Sequence, residues 1–176
     1  GRTVSEQVTH LVGTIGENLQ FRRSAGLSVS SGVVASYVHN AIAPGAGRIA
    51  VLVALKSEGD ADALMALGKQ LAMHVAAANP QAVTGADLDP AIVEREREIL
   101  SEQARESGKP EEIIAKMVEG RLRKFQSDVV LTEQVFVIDN ETKIETVLEN
   151  AAKDLGTPVS VAGFLRFELR EGIEKK

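Results

Sequence analysis

Apolar residues recur at three- and four-residue steps in the opening stretch, at Val8, Leu11, Val12 and Ile15. This predicts a helix that Ser5 caps and Gly16 stops. The pattern then changes. Residues 19–29 alternate loosely, with Gly26 at a bulge or bend, and 33–39 reads as a strand after a Ser31-Gly32 turn. Beyond the loop 43–47, residues 48–56 are almost wholly apolar at their centre, which suits a strand covered on both faces. The loops joining these three stretches are too short for a helical crossover, so they predict an antiparallel meander.

A second helix is predicted over 60–78. Asp60 is its cap, Leu64, Leu67, Leu71 and Val75 form its stripe, and Asn79-Pro80 ends it. Residues 81–89 read as a loop. Two charged helices follow, over 91–107 and 111–127, broken by Gly108-Lys109-Pro110. Glu112–Lys116 and Glu119–Arg123 stand four apart in the favourable order. Each helix has one apolar stripe, and so short a joint predicts an antiparallel hairpin. Only two stripes face each other, so the hairpin is expected to protrude and bury an edge against another copy. After a short apolar stretch at 134–138, residues 142–155 predict a helix ending at Gly156. Residues 159–169 alternate with the period of a strand. That last strand needs a sheet, and the available one precedes the hairpin. The expected fold class is α+β: an antiparallel β-sheet of three to four strands packed with helices, with an inserted, protruding antiparallel helical hairpin. The expected division is 1–18 as a lead-in helix, 19–89 with 128–176 as the core, and 90–127 as the hairpin.

Composition narrows the function classes. The 176 residues hold 44% apolar and 26% charged side chains, as folded domains do, and no apolar run of about 18 residues that would span a membrane. There is no cysteine, hence no thiolate metal site or thiol catalysis, and a reducing, cytoplasmic setting is expected. A net charge of −5 and 3% aromatics argue against a nucleic-acid surface, which needs clustered cations and exposed rings.

Gly45-Ala46-Gly47-Arg48-Ile49-Ala50 matches G-x-G-x-x-A, but a dinucleotide site needs a helix to follow, and here a strand does. A hairpin loop is the better account. No phosphate-binding G-x-x-x-x-G-K loop and no G-x-S-x-G elbow occurs. His10, His39 and His74 have no zinc-like spacing, and the hairpin carboxylates read as a solvated face. No catalytic residue, cofactor site or metal site is expected. His74 admits two readings: a half-buried helix histidine bonded to a nearby carbonyl, or an exposed one that meets a partner beside small alanines.

Several stretches resemble the bacterial elongation factor Ts family. Ile15-Gly16-Glu17-Asn18 followed by Arg22-Arg23 is similar to its IGEN…RR segment, and 47–53 resembles its RIGVLV strand. Residues 72–77 read AMHVAA, 107–110 read SGKP, and 116–125 resemble KMVEGRLxKF. The closing GFLRF at 163–167 and EGIEK at 171–175 complete an ordered set across nearly the whole chain.

The resemblance implies a guanine-nucleotide exchange factor for the GTPase elongation factor Tu, acting by binding linkage without covalent chemistry. It implies a core subdomain carrying a coiled-coil hairpin for self-association, hence a homodimer through residues 90–127. It carries partner contact onto Ile49, Ala50, His74 and Val137. Ala50 replaces the usual glycine, and Gln134-Val135-Phe136-Val137 lacks the proline of the family's QPFV. No Thr-Asp-Phe occurs, so the family's wedge into the GTPase has no counterpart in these residues, and a fragment is expected. The alternative expectation is a self-association or scaffold module without exchange activity of its own.

Overall fold

The computed structural model describes residues 1–172. The first helix, α1, covers Val4–Ile15. Its cap is Thr3, two residues before the expected Ser5. The Thr3 hydroxyl accepts from the Glu6 N–H and the Glu6 carboxylate accepts from the Thr3 N–H, a reciprocal capping box that Ser5 has no partner to make. Strands β1 (Gly32–Ala43) and β2 (Ala46–Lys56) form a long hairpin, closed by Pro44 and Gly45. Gly45 has φ +75°, a left-handed conformation that glycine adopts without strain. The G-x-G-x-x-A run therefore lies in a hairpin turn and the strand after it.

Helix α2 covers Ala61–Ala78, capped by the Asp60 carboxylate on the Ala63 N–H and ended by Asn79 at φ +49°. Helices α3 (Pro90–Arg105) and α4 (Glu111–Val129) follow, then α5 (Ile144–Leu155) and strand β3 (Ser160–Glu168). The sheet is antiparallel with order β1-β2-β3, so the central strand is the apolar one, with both edges paired. Paired positions such as Ala35, Val53 and Phe164 share the face on which α2 lies. There Val33, Val51, Val53 and Leu55 meet Leu64, Leu71 and Val75 of α2, and Leu131, Phe136, Ile144 and Leu148 complete the same core.

The meander expected from 19–29 is not formed: this segment has no ladder and lies across the other sheet face. Leu27 reaches the backbone at Gly163, and the Arg23 guanidinium sits 4.6 Å from the Phe167 ring centre. Arg22 donates to the Glu171 carbonyl at 2.8 Å and Arg23 pairs with the Glu171 carboxylate. Alternation reports that one side of a segment is covered; side chains laid on a sheet produce it as readily as a pairing strand. The third strand of the sheet is the last one, β3. The closing run expected at 171–175 extends beyond the described residues.

Helices α3 and α4 pack through Leu100, Ala104, Ile114, Val118 and Leu122, a cluster separate from the sheet core. Val93 near the start of α3 and Phe125 near the end of α4 flank it, so the two helices run in opposite directions. Both side chains also touch Ala82, Leu88 and Val130, where the chain enters and leaves the pair.

Gly68 fixes how α2 meets the sheet. A Cβ at that position would stand 2.7 Å from the Cβ of fully buried Ala35, closer than real carbons approach. Gly68→Val should therefore lower the urea-unfolding free energy by about 1–3 kcal/mol through overpacking. Gly120, mid-helix in α4 with nothing near its missing Cβ, provides the contrast. Gly120→Ala should raise stability by about 0.5–1 kcal/mol in the same assay.

Candidate functional site

The chain after α4 makes one 3-10 turn, Leu131–Glu133, and then a loop closed on itself. Ile144 N–H donates to the Gln134 carbonyl (3.0 Å), Phe136 N–H to the Thr142 carbonyl (2.8 Å), and Asn140 N–H to the Phe136 carbonyl (2.8 Å). Asp139 tightens its tip by accepting from the Glu141 and Thr142 N–H groups, both at 3.0 Å. Those donors favour the charged carboxylate and hold Asp139 below its usual range. Phe136 is the loop's apolar anchor, buried in the core. Its neighbours Val135 and Ile138 are 49% and 46% exposed, and Val137 is half-buried between them. The loop thus shows an apolar edge to solvent while its backbone is tied down.

His74 sits beneath this loop. It is fully buried on α2, and its ring lies 6.0 Å, centre to centre, from that of Phe136. The Val137 N–H donates to His74 Nδ1 at 3.3 Å, which assigns the proton to Nε2. Nε2–H then donates to Gln134 Oε1 at 2.9 Å, and Gln134 Nε2 donates to the Asp128 carbonyl at 2.7 Å in the last turn of α4. The histidine is therefore fully buried rather than half-buried, and the carbonyl it donates to is the side-chain one of Gln134; it is a satisfied core group joining α2 to the loop. Burial lowers its pKa from the ordinary histidine value, and the hydrogen bond to Gln134 offsets part of that.

The four residues marked for partner contact fall into two places. His74 and Val137 touch. Ile49 and Ala50 stand together near the hairpin end of β2, and being adjacent in a strand they face opposite sides of the sheet. Ile49 is half-buried against the core, in a row with His39 and Glu168, and Ala50 is exposed opposite Val38 and Phe167. Beside Ile49, the exposed Tyr37 hydroxyl lies 3.2 Å from His39 Nδ1. Gln134, buried and central to the histidine's bonding, escaped the sequence reading. Its signal is its place at the head of the stretch that resembles the family's QPFV, where Val137 alone was marked; as one of three polar residues between Leu131 and Phe136 it reads equally well as part of a surface turn. Among the described residues no three His, Asp or Glu side chains gather where a metal could be held.

The sign of the His74 effect on stability follows from its lowered pKa. The unfolded chain binds a proton at this histidine more readily than the folded one. Its contribution is complete above about pH 6.5 and is lost as pH falls from there through the folded value. An NMR titration of the His74 ring should have its midpoint below about 6.5. Urea unfolding should show proton uptake across the same window, and His74→Gln should remove that uptake.

The sequence model described as Elongation factor TS matches residues 1–171. Two proteins named Elongation factor Ts, from Rhodospirillum rubrum and Rhodospirillum centenum, are 62% and 60% identical over 176 and 175 residues. These alignments take in 100% and 99% of this chain but 57% of each relative. A third of that name, from Paramagnetospirillum magneticum, is 58% identical over 99% of the chain and 56% of its own length. The chain spans somewhat more than half the length of these relatives. A family match over almost every residue, joined to a sheet, a helix pair and a braced apolar loop in the expected order, makes this chain a member of the elongation factor Ts family.

Proposed function

We propose that this chain is the part of a guanine-nucleotide exchange factor that grips elongation factor Tu in the cytoplasm. The observation that carries the reading is the solvent-facing apolar edge Val135–Val137–Ile138, held in shape from beneath by His74. An exposed apolar edge on a backbone that is already ordered loses little entropy on binding, which favours its use as a contact. Ile49 and Ala50 form a second contact at the hairpin end of the sheet, Ile49 from the helix-covered side and Ala50 from the other. We divide the chain into a lead-in helix at 1–18, a core made of 19–89 and 128–176, and a hairpin at 90–127.

The mechanism is linkage. A factor that binds the nucleotide-free GTPase better than the GDP-bound form must weaken GDP by the same factor that GDP weakens it. No bond is made or broken, and no side chain needs to act as acid, base or nucleophile. Because Thr-Asp-Phe does not occur in these 176 residues, this chain should bind elongation factor Tu weakly and speed GDP release little. Stopped-flow release of labelled GDP measures this directly; exchange at the full rate of a complete factor would refute the assignment of a grip without a wedge. Val137→Asp should weaken binding further, by about tenfold, through burying an unpaired charge at the contact.

A second reading is favoured by one observation: Ile92 and Ile99, two turns apart on α3, and Ile113 on α4 are exposed. In that reading the helix pair joins two copies of the chain and the core is a scaffold. Sedimentation across a wide concentration range should then show a dimer that Ile99→Lys dissociates. A monomer at every concentration would remove this reading.

A further inference from the structure

The buried polar chain between α4 and the loop has a further consequence. Four groups contribute to it in order: the Asp128 carbonyl at the end of α4, the Gln134 amide, the His74 ring on α2, and the Val137 N–H. Gln134 uses both ends of its side chain, giving a proton to α4 and taking one from His74. Its orientation is therefore fixed, because a flipped amide would set two donors against each other at His74 and two acceptors against each other at Asp128. That orientation fixes the histidine: an acceptor facing Nε2 keeps the proton there and leaves Nδ1 free to accept from Val137. Among the described residues no buried side-chain polar atom lacks a partner.

We propose that Gln134 is a positioning residue that, through His74, sets where the Val137 edge stands relative to the last turn of α4. His74 thereby serves recognition from inside the core, by holding Val137 rather than by touching a partner. This rests on the reading of 135–138 as a contact for elongation factor Tu, but the positioning itself is measurable without the partner. Exchanging the amide for an apolar group of similar volume leaves the packing of Leu131 and Phe136 in place while freeing the imidazole to change tautomer. Exchanging it for a carboxylate keeps an acceptor at Nε2 but favours a fully protonated ring. Val137 N–H then faces a donor, and the Asp128 carbonyl loses its own.

The test uses the whole chain, labelled with nitrogen-15, as wild type, Gln134→Met and Gln134→Glu. In the wild type the His74 nitrogen shifts should report a protonated Nε2 and a bare Nδ1. In Gln134→Met the ring should become a mixture of tautomers, and hydrogen exchange at the Val137 amide should quicken by about tenfold. In Gln134→Glu the Nε2 proton should remain, Nδ1 should gain one, and Val137 should again exchange faster, increasingly so as pH falls. Nucleotide-free elongation factor Tu, titrated against each folded variant, should bind about fivefold more weakly. Val137 exchange unchanged in both variants would overturn the proposal, as would weakened binding in a variant whose Val137 amide has not moved. Faster Val137 exchange with unaltered partner affinity would uphold the positioning and overturn the role of this edge in recognition. A wild type that does not bind at all would sink the functional reading, and the exchange rates would still decide the tie.

Discussion

The contact of α2 with the sheet at Gly68 and Ala35 sets the rest of the molecule. With only the Ala35 methyl between them, helix and strand approach closely, and the rotation of α2 about its axis is no longer adjustable. One side of the helix then seals the sheet with Leu64, Leu71 and Val75. His74, six residues on from Gly68, comes out roughly 120° round the axis. That direction leads off the sheet and into the segment that follows α4. A helix held less closely could satisfy the same sheet face in several rotations, and only one of them aims the imidazole at Gln134 and Val137.

The C-terminal end of α2 is also tied by charge. Arg166 of β3, with little of its side chain exposed, lies 3.4 Å from the Ala76 carbonyl in the last turn of α2 and pairs with Glu168 at 2.9 Å. A guanidinium at the negative end of a helix is favourably placed, and the neighbouring carboxylate keeps it from being an unpaired buried charge. The last strand is thus fastened both to β2 along its edge and to α2 across its face. The α3–α4 pair has its own core and meets the rest mainly through Ala82, Leu88 and Val130, so its packing is insulated from these constraints. A polar path through Asp128 and Gln134 also crosses between them.

Much of this architecture could be read from the sequence because it depends on short-range regularities. The stripe on α2, its Asp60 cap and its end at Asn79 emerged as expected, as did the two charged helices and their break near Gly108. The strands follow from local pattern, an almost wholly apolar run in β2 and alternation in β3, although the hairpin continues nearer to its turn than the apolar runs suggest. The segment 19–29 misled because Leu27 and Arg23 make side-chain contacts with β3, and no local pattern reports whether a neighbour offers its backbone. The candidate site was legible in part. Val137 was marked by resemblance, but the depth of His74 depends on a loop sixty residues later in the chain, bonded through Gln134, which heads the stretch resembling QPFV but was given no role there. Which of two open readings of a histidine holds is a property of its cover, and that cover is distant in sequence.

The order of the strands also bears on how the protein is made. β2 has its first neighbour immediately, in β1, but its second is separated from it by the whole of α2 to α5. On a ribosome, at about 5–20 residues per second, the apolar central strand emerges with one edge unpaired and waits for several seconds or more before β3 exists. During that interval the hairpin is a ready template for any other extended chain. α2, synthesised directly after β2, can cover the face but not the edge. Newly made chains are therefore most at risk of mispairing after the helices have formed and before the last strand has left the ribosome, and a chaperone that shields an open strand edge would matter most within that window.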